Sequence, residues 1–143
     1  MSKGRNNTLS LDSVRVEHRG VETRVPFTLK LPLPPSTNNL FVNVPDRGRV
    51  PSNKYKAWRQ AAADSLWQQK RRFVSGPVRI TIVVRDEGRS DLDNRSKAPI
   101  DFLVLHGFIN DDSRQTVREL HMHWGQVEGC EITVEPIKWA RAA

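Results

Sequence analysis

Residues 91–101 read Asp-Leu-Asp-Asn-Arg-Ser-Lys-Ala-Pro-Ile-Asp, and they run directly into the apolar segment Phe102-Leu103-Val104-Leu105. Charge beside a hydrophobic run is costly to bury unless it is paired, hydrogen-bonded or bound to a metal ion. Asp91 and Asp93 are two apart, so in extended backbone they point the same way. Asn94, Lys97 and Asp101 follow at i, i+3 and i+7, one stripe of a helix. A second acidic pair, Asp111-Asp112, stands just beyond that helix. Donors of this kind, all oxygen, suit Mg²⁺, with Mn²⁺ as a substitute. Mg²⁺ binds through one or two carboxylates and keeps waters that a substrate phosphate can replace. Two carboxylates about 6 Å apart repel by roughly 3 kcal/mol at an effective dielectric near 20, which a cation between them relieves. Lys97, four residues after Asp93, offsets part of the charge, faces a phosphate oxygen or orients a water. The same residues admit a plainer reading: Asp93 as a helix N-cap, Lys97 as its i+4 partner, and Asp111-Asp112 as a solvated loop. On the residues alone both stand.

The elements that must hold these groups follow from periodicity. Val25, Phe27, Leu29 and Leu31 alternate with polar or proline positions and predict a half-buried strand, with Pro26 marking an edge or a start. Pro34-Pro35-Ser36-Thr37-Asn38-Asn39 ends it in a turn. Residues 43–51 read as a basic loop containing Arg47 and Arg49. Ser52 is a helix N-cap, and Tyr55, Trp58, Ala62, Leu66, Gln69 and Phe73 recur at spacings of three and four, predicting a helix over 52–73. That span carries six basic residues, Lys54, Lys56 and Arg59 among them, against the single acid Asp64, a local charge of +5. Val78–Asp86 predicts a strand, Gly88 a turn, and residues 94–106 a helix stopped by Gly107 and irregular or late at its start because of Pro99. Residues 114–124 and 130–137 predict two strands joined around Gly125–Gly129, and residues 138–143 a short terminal helix. Residues 1–24 are polar and read as an arm, with a short strand at 14–16, ahead of one domain over 25–143. The fold class is α+β: a single mixed sheet with two main helices packed against it, in the order β-α-β-α-β-β.

With 143 residues, 37% of them hydrophobic, the chain is long and apolar enough for one folded core. A net charge of +7 favours a polyanionic partner, nucleic acid before a membrane surface. A single cysteine, Cys130, excludes an internal disulfide and an all-cysteine metal site, and reads as a small core residue. His121 and His123 alternate on one strand and lack the further ligands of a zinc site. No apolar run approaches the roughly 20 residues of a membrane span, and a cytoplasmic location is expected.

The stretch Asp91–Ser113 resembles the RusA family of Holliday-junction resolvases, whose signature is D-x-D-N-x-x-K, then D, then G-hydrophobic-x-x-D-D; every element is present, in order and with matching spacing. "LPLPPSTNN" is similar to the family's N-terminal strand and turn, and the similarity covers about residues 25–136. The resemblance implies that Asp91, Asp93 and Asp112 bind Mg²⁺ and that Lys97 assists catalysis. It gives Asn94, Asp101 and Asp111 supporting roles, and ranks Asp112 above Asp111 as a ligand. It implies a homodimer of mixed α/β subunits that nicks two opposed strands of a four-way DNA junction. Arg47, Arg49, Lys54, Lys56 and Arg59 would then hold backbone phosphates, and Arg85 and Arg89, on the strand leading into the site, would make first contacts. The competing expectations are a protein that binds branched DNA without cutting it, and a nuclease for forks or flaps. A small RNA-binding domain is disfavoured, since the aromatic strand motifs of the common RNA modules are absent.

Overall fold

The computed structural model describes residues 20–138. In chain order the elements are β1 (Val21–Glu22), β2 (Phe27–Leu31), β3 (Phe41–Val44), β4 (Gly48–Pro51), α1 (Asn53–Ser65), β5 (Arg72–Phe73), β6 (Val78–Arg85), α2 (Lys97–Leu105), β7 (Val117–Gly125) and β8 (Cys130–Pro136). Short 3₁₀ turns occupy Thr37–Asn39, Leu66–Gln68 and Leu92–Arg95. The strand 14–16 and residues 139–143 of the terminal helix expected from the sequence lie outside the described residues.

The main sheet has the order β2-β8-β6-β7, with β6 and β7 parallel and the other pairs antiparallel. Alternation decides which face is covered. Phe27, Leu29 and Leu31 on β2, Ile80, Ile82 and Val84 on β6, and Ile132 and Val134 on β8 are buried, while the residues between them are half-buried or exposed. Tyr55, Trp58, Ala62 and Leu66 from the α1 region and Ala98, Phe102 and Leu103 from α2 join the same core cluster, so both helices cover one face. The opposite face is polar and laced by side chains: Thr28 bonds Thr133 at 2.8 Å, and Arg79 pairs with Glu119 and Glu135 at 2.9 Å each. The Arg79 guanidinium, with His121 behind it, pulls the Glu119 carboxyl down to about 2. His121 and His123 stand on this polar face, as a plain sheet-face reading requires.

The α+β class and the order of main elements agree with the sequence reading; two small ribbons are added, parallel β1-β5 and the antiparallel hairpin β3-β4. The hairpin replaces the loop expected over 43–51. Its turn sets Asp46 and Gly48 at φ 67° and 73°, left-handed values that aspartate and glycine accept more readily than most residues. α1 starts where expected, with the Ser52 hydroxyl accepting from the Tyr55 N–H at 3.1 Å. It ends eight residues early. Gln69 leaves the helix because its side-chain amide imitates a strand: Oε1 accepts from the Lys30 N–H and Nε2 donates to the Lys30 carbonyl, both at 2.8 Å, along the free edge of β2. Lys70, Arg71 and Arg72 are therefore not on the helix. Arg71 donates to the His106 carbonyl at the end of α2 and lies over the Phe108 ring, and Arg72 lies over Phe27.

α2 begins late, at Lys97, which leaves Pro99 in its first turn where no helical N–H is needed, and Gly107 at φ 75° closes its end. β7 and β8 are consecutive in sequence yet not paired, because β6 lies between them. The link between them passes Gly129, where an added Cβ would collide with the Leu31 carbonyl oxygen and sit 2.7 Å from the Leu33 nitrogen. Gly129→Ala is expected to cost about 1–3 kcal/mol through forced backbone movement, read as a lower urea midpoint. An unchanged midpoint would mean that the link moves freely. Cys130 is buried in β8, and burial pushes its thiol up to about 12, so it is an inert core side chain.

Candidate active site

The acidic stretch is neither extended nor wholly helical. Asp91 stands at the head of the 3₁₀ turn Leu92–Arg95 and Asp93 lies within it, so the strand geometry expected to align the two carboxylates is absent. A tight turn is the physical outcome because Pro99 delays the helix and two cross-links fold the segment back. Arg95 donates from Nε to the Ser90 hydroxyl at 2.7 Å and from its terminal nitrogen to the Pro34 carbonyl. Thr37 donates its hydroxyl to the Asn94 carbonyl at 3.1 Å. Ser52 donates to the Asn39 carbonyl at 2.6 Å, so the same proline-rich turn also receives the start of α1. One loop thus holds the acidic turn and the basic helix in a common frame. Neither Arg95 nor Thr37 is conspicuous in the sequence. Arg95 is one of 23 basic residues, and Thr37 reads only as part of a turn.

The acids divide by what they touch. Asp101 is paired with Lys97 at 3.3 Å across one helical turn, so Lys97 bonds Asp101 and not Asp93. Asp111 accepts from the Ser113 N–H at 2.9 Å and from the Ser113 hydroxyl at 2.6 Å, and these bonds, with one to Thr116, hold its carboxyl below the usual range. Asp91, Asp93 and Asp112 are exposed, and among the described residues their carboxylates have no hydrogen-bond or ion-pair partner. Neither Asp91 nor Ser96 caps its helical turn through the side chain. Capping therefore does not account for the acidic pair. Asn94 is half-buried in the turn, ahead of the helix that carries Lys97 and Asp101, so the expected stripe is split between two elements.

A cleft of about 250 Å³ opens between α1 and α2, lined by Tyr55, Trp58, Arg59, Asp101, Phe102 and Asp112 among others. Asp101 and Asp112 both line it, whereas Asp91 and Asp93 do not, and the Asp101–Lys97 pair continues the polar seam up α2 toward the 3₁₀ turn. The chemistry of these donors fits a hard divalent cation held by one or two carboxylates and completed by water and phosphate oxygens. They do not form an all-protein cage: among the described residues, no three His, Cys, Asp or Glu side chains converge on one ion position.

The basic residues fall into distinct places. Arg47 is in the exposed hairpin turn, and Arg49 on β4 lies 4.9 Å from the Phe41 ring centroid. Lys54 and Lys56 are exposed on the first turn of α1, and Arg59 packs over Tyr55. Arg85 is engaged by Glu87 at 2.6 Å and by the Glu128 carbonyl at 3.2 Å, and its side chain belongs to the polar sheet face. β6 ends at Arg85, so Arg89 is in the following loop and not on the strand.

A family model described as endodeoxyribonuclease RusA matches residues 32–135, a span from the proline-rich turn to the end of β8. The chain belongs to the RusA endodeoxyribonuclease family. No curated protein matches it. As a RusA-family protein it is an enzyme that hydrolyses DNA, and the family resolves Holliday junctions in recombination. RusA nucleases generally depend on a divalent metal ion. The matched span contains the acidic turn, α2, the Asp111-Asp112 loop and the whole of α1. No helix among the described residues is long and apolar enough to cross a membrane.

Proposed function

We propose that this chain is a Mg²⁺-dependent resolvase, accepting Mn²⁺ in its place, that acts in the cytoplasm as a homodimer and nicks two opposed strands of a four-way DNA junction. The nuclease domain would span residues 25–143, with the end of the 1–24 segment expected as an arm joined to it where β1 pairs with β5. The observation that carries the reading is the presence of three exposed carboxylates, Asp91, Asp93 and Asp112, without partners among the described residues, in a family-matched segment that also holds the Lys97–Asp101 pair. Exposed acids that no lysine, arginine or backbone N–H satisfies are left to solvent or to a cation. In a protein of net charge +7, acids that no cation pairs with among the described residues are consistent with a site kept for an ion.

Asp91, Asp93 and Asp112 are the carboxylates that would serve that ion, one or two of them at a time, with water and phosphate oxygens completing its shell, since no three acids converge among the described residues. Bound there, a divalent cation polarises a phosphate and lowers the pKa of an attacking water. The remaining work belongs to the chain. Lys97 is exposed and, among the described residues, held by Asp101 alone, so its ammonium can turn to a phosphate oxygen and offset charge that builds in the transition state. Asp101 positions Lys97 in the resting enzyme. Asp111 shapes the loop through Ser113 and leaves Asp112 available. Lys54, Lys56, Arg47 and Arg49 supply sequence-independent grip on the DNA backbone, with strong salt dependence. Arg85 is committed to Glu87 and contributes less, while Arg89 remains available in its loop.

The test is cleavage of a synthetic four-way junction, a fork and a flap with Mg²⁺ under single-turnover conditions. Symmetric nicks in opposed strands of the junction, faster than cutting of the other two substrates, are expected. A faster rate on the flap or fork would reassign the substrate. Silence on all three with Mg²⁺ and Mn²⁺ would remove the catalytic reading.

A further inference from the structure

Resting on that nuclease reading, we infer that Arg59 is a catalytic residue that binds the scissile phosphate across the cleft from Asp112, and not one more cation along the DNA path. Three observations converge on it. Arg59 follows Tyr55 by one helical turn, and its guanidinium carbon lies 4.0 Å from the centroid of the Tyr55 ring. Tyr55 is itself 1% exposed, so the ring is a rigid platform and the arginine stacked on it is confined. Lys54 and Lys56, by contrast, are exposed on the helix surface.

The second observation is what Arg59 does not touch. Asp101 and Asp112 line the same cleft, yet among the described residues Asp112 has no partner and Arg59 makes no ion pair. A guanidinium and a carboxylate attract one another, and contact would add charge-assisted hydrogen bonds. The guanidinium lies instead over the Tyr55 ring, and Asp101 is paired with Lys97. The cation and the anion face one open volume of about 250 Å³.

The third is chemical fit. A group that bridges a carboxylate-held cation and an arginine must be anionic, with at least two oxygens pointing apart. A phosphodiester has that form. One non-bridging oxygen would be left to the cation on the Asp112 side, and the other would accept from the guanidinium, whose second N–H can reach an ester oxygen of the same phosphate as a lysine ammonium does less readily. Trp58 and Phe102, both buried, give the cleft apolar surface, beside which charged interactions are screened less than in bulk water.

The experiment compares wild type, Arg59→Lys and Arg59→Gln by single-turnover cleavage of a four-way junction at saturating enzyme. Junction binding is measured separately, in Ca²⁺ and without metal, across a salt series. Arg59→Gln is expected to cut roughly 10²–10³-fold more slowly at saturation, the range for loss of one transition-state donor. The slope of log Kd against log salt should fall by about one, since one phosphate contact is lost. Arg59→Lys keeps the charge over the ring and should lie between the two. A role in packing alone would move the melting temperature and leave the salt slope untouched, and that pattern overturns the inference. So does a Gln variant that cuts at the wild-type rate once saturated. A wild type that cuts nothing overturns the nuclease reading along with this one, whereas either of the preceding results overturns this one alone.

Discussion

Asp93→Asn is expected to bind a four-way junction at least as tightly as wild type and to cut it roughly a thousandfold more slowly, a loss of about 4 kcal/mol of transition-state stabilisation. The substitution keeps the volume and shape of the side chain and removes its charge. Since the Asp93 carboxylate has no partner among the described residues, nothing in the fold is broken by the change. The melting temperature should therefore stay within the small range of a surface substitution, or rise slightly as repulsion from Asp91 is relieved. Binding tightens for the same electrostatic reason, because a negative group beside backbone phosphates is gone. Cleavage and anisotropy measurements on one preparation separate the effects. Robust cutting by Asp93→Asn would show that this carboxylate is not required, and the assignment of the acidic turn would fail with it.

Phe102→Ala is expected to remove about 3–5 kcal/mol of stability, the largest structural effect of any single truncation considered. Phe102 is 2% exposed and sits where the two helices meet the core. Its ring meets Trp58 edge-on at 5.8 Å, stacks on Phe108 at 6.4 Å and approaches His106 at 4.3 Å, so its loss opens a void that three neighbouring rings cannot close together. Against a typical total stability of about 5–15 kcal/mol, the urea midpoint should fall sharply and the melting temperature by about 10 °C or more. Phe102 also forms part of the cleft between Arg59 and Asp112, so cleavage should weaken even at temperatures where the variant remains folded. A loss below about 1 kcal/mol would mean that α2 is loosely packed and that the cleft is not a rigid frame.

Much of this protein was written locally. The Ser52 cap, the strict alternation of β2 and β6, the stop at Gly107, the inert Cys130 and the acidic motif all follow from periods and residue types within one element, where each side chain's face is set by its own backbone. The family signature is equally local, being a matter of order and spacing. Tertiary structure decided what depends on residues far apart in the chain. Gln69 has the spacing of a helical residue and leaves the helix only because the open edge of β2 offers it two backbone partners. The 43–51 segment becomes a hairpin through pairing of Phe41 with Pro51, a pattern too short and too polar to announce itself. β6 enters between β7 and β8 because hydrophobic alternation specifies a buried face and not a neighbour. The site divides in the same way. Residue types supplied the carboxylates, but Arg95 reaching Pro34, Thr37 reaching Asn94, and the contacts that occupy Asp101 and Asp111 while leaving Asp91, Asp93 and Asp112 open are bonds between side chains and partners that only folding brings together. Periodicity reports which way a residue faces; what it meets there is set by the packing of the other elements.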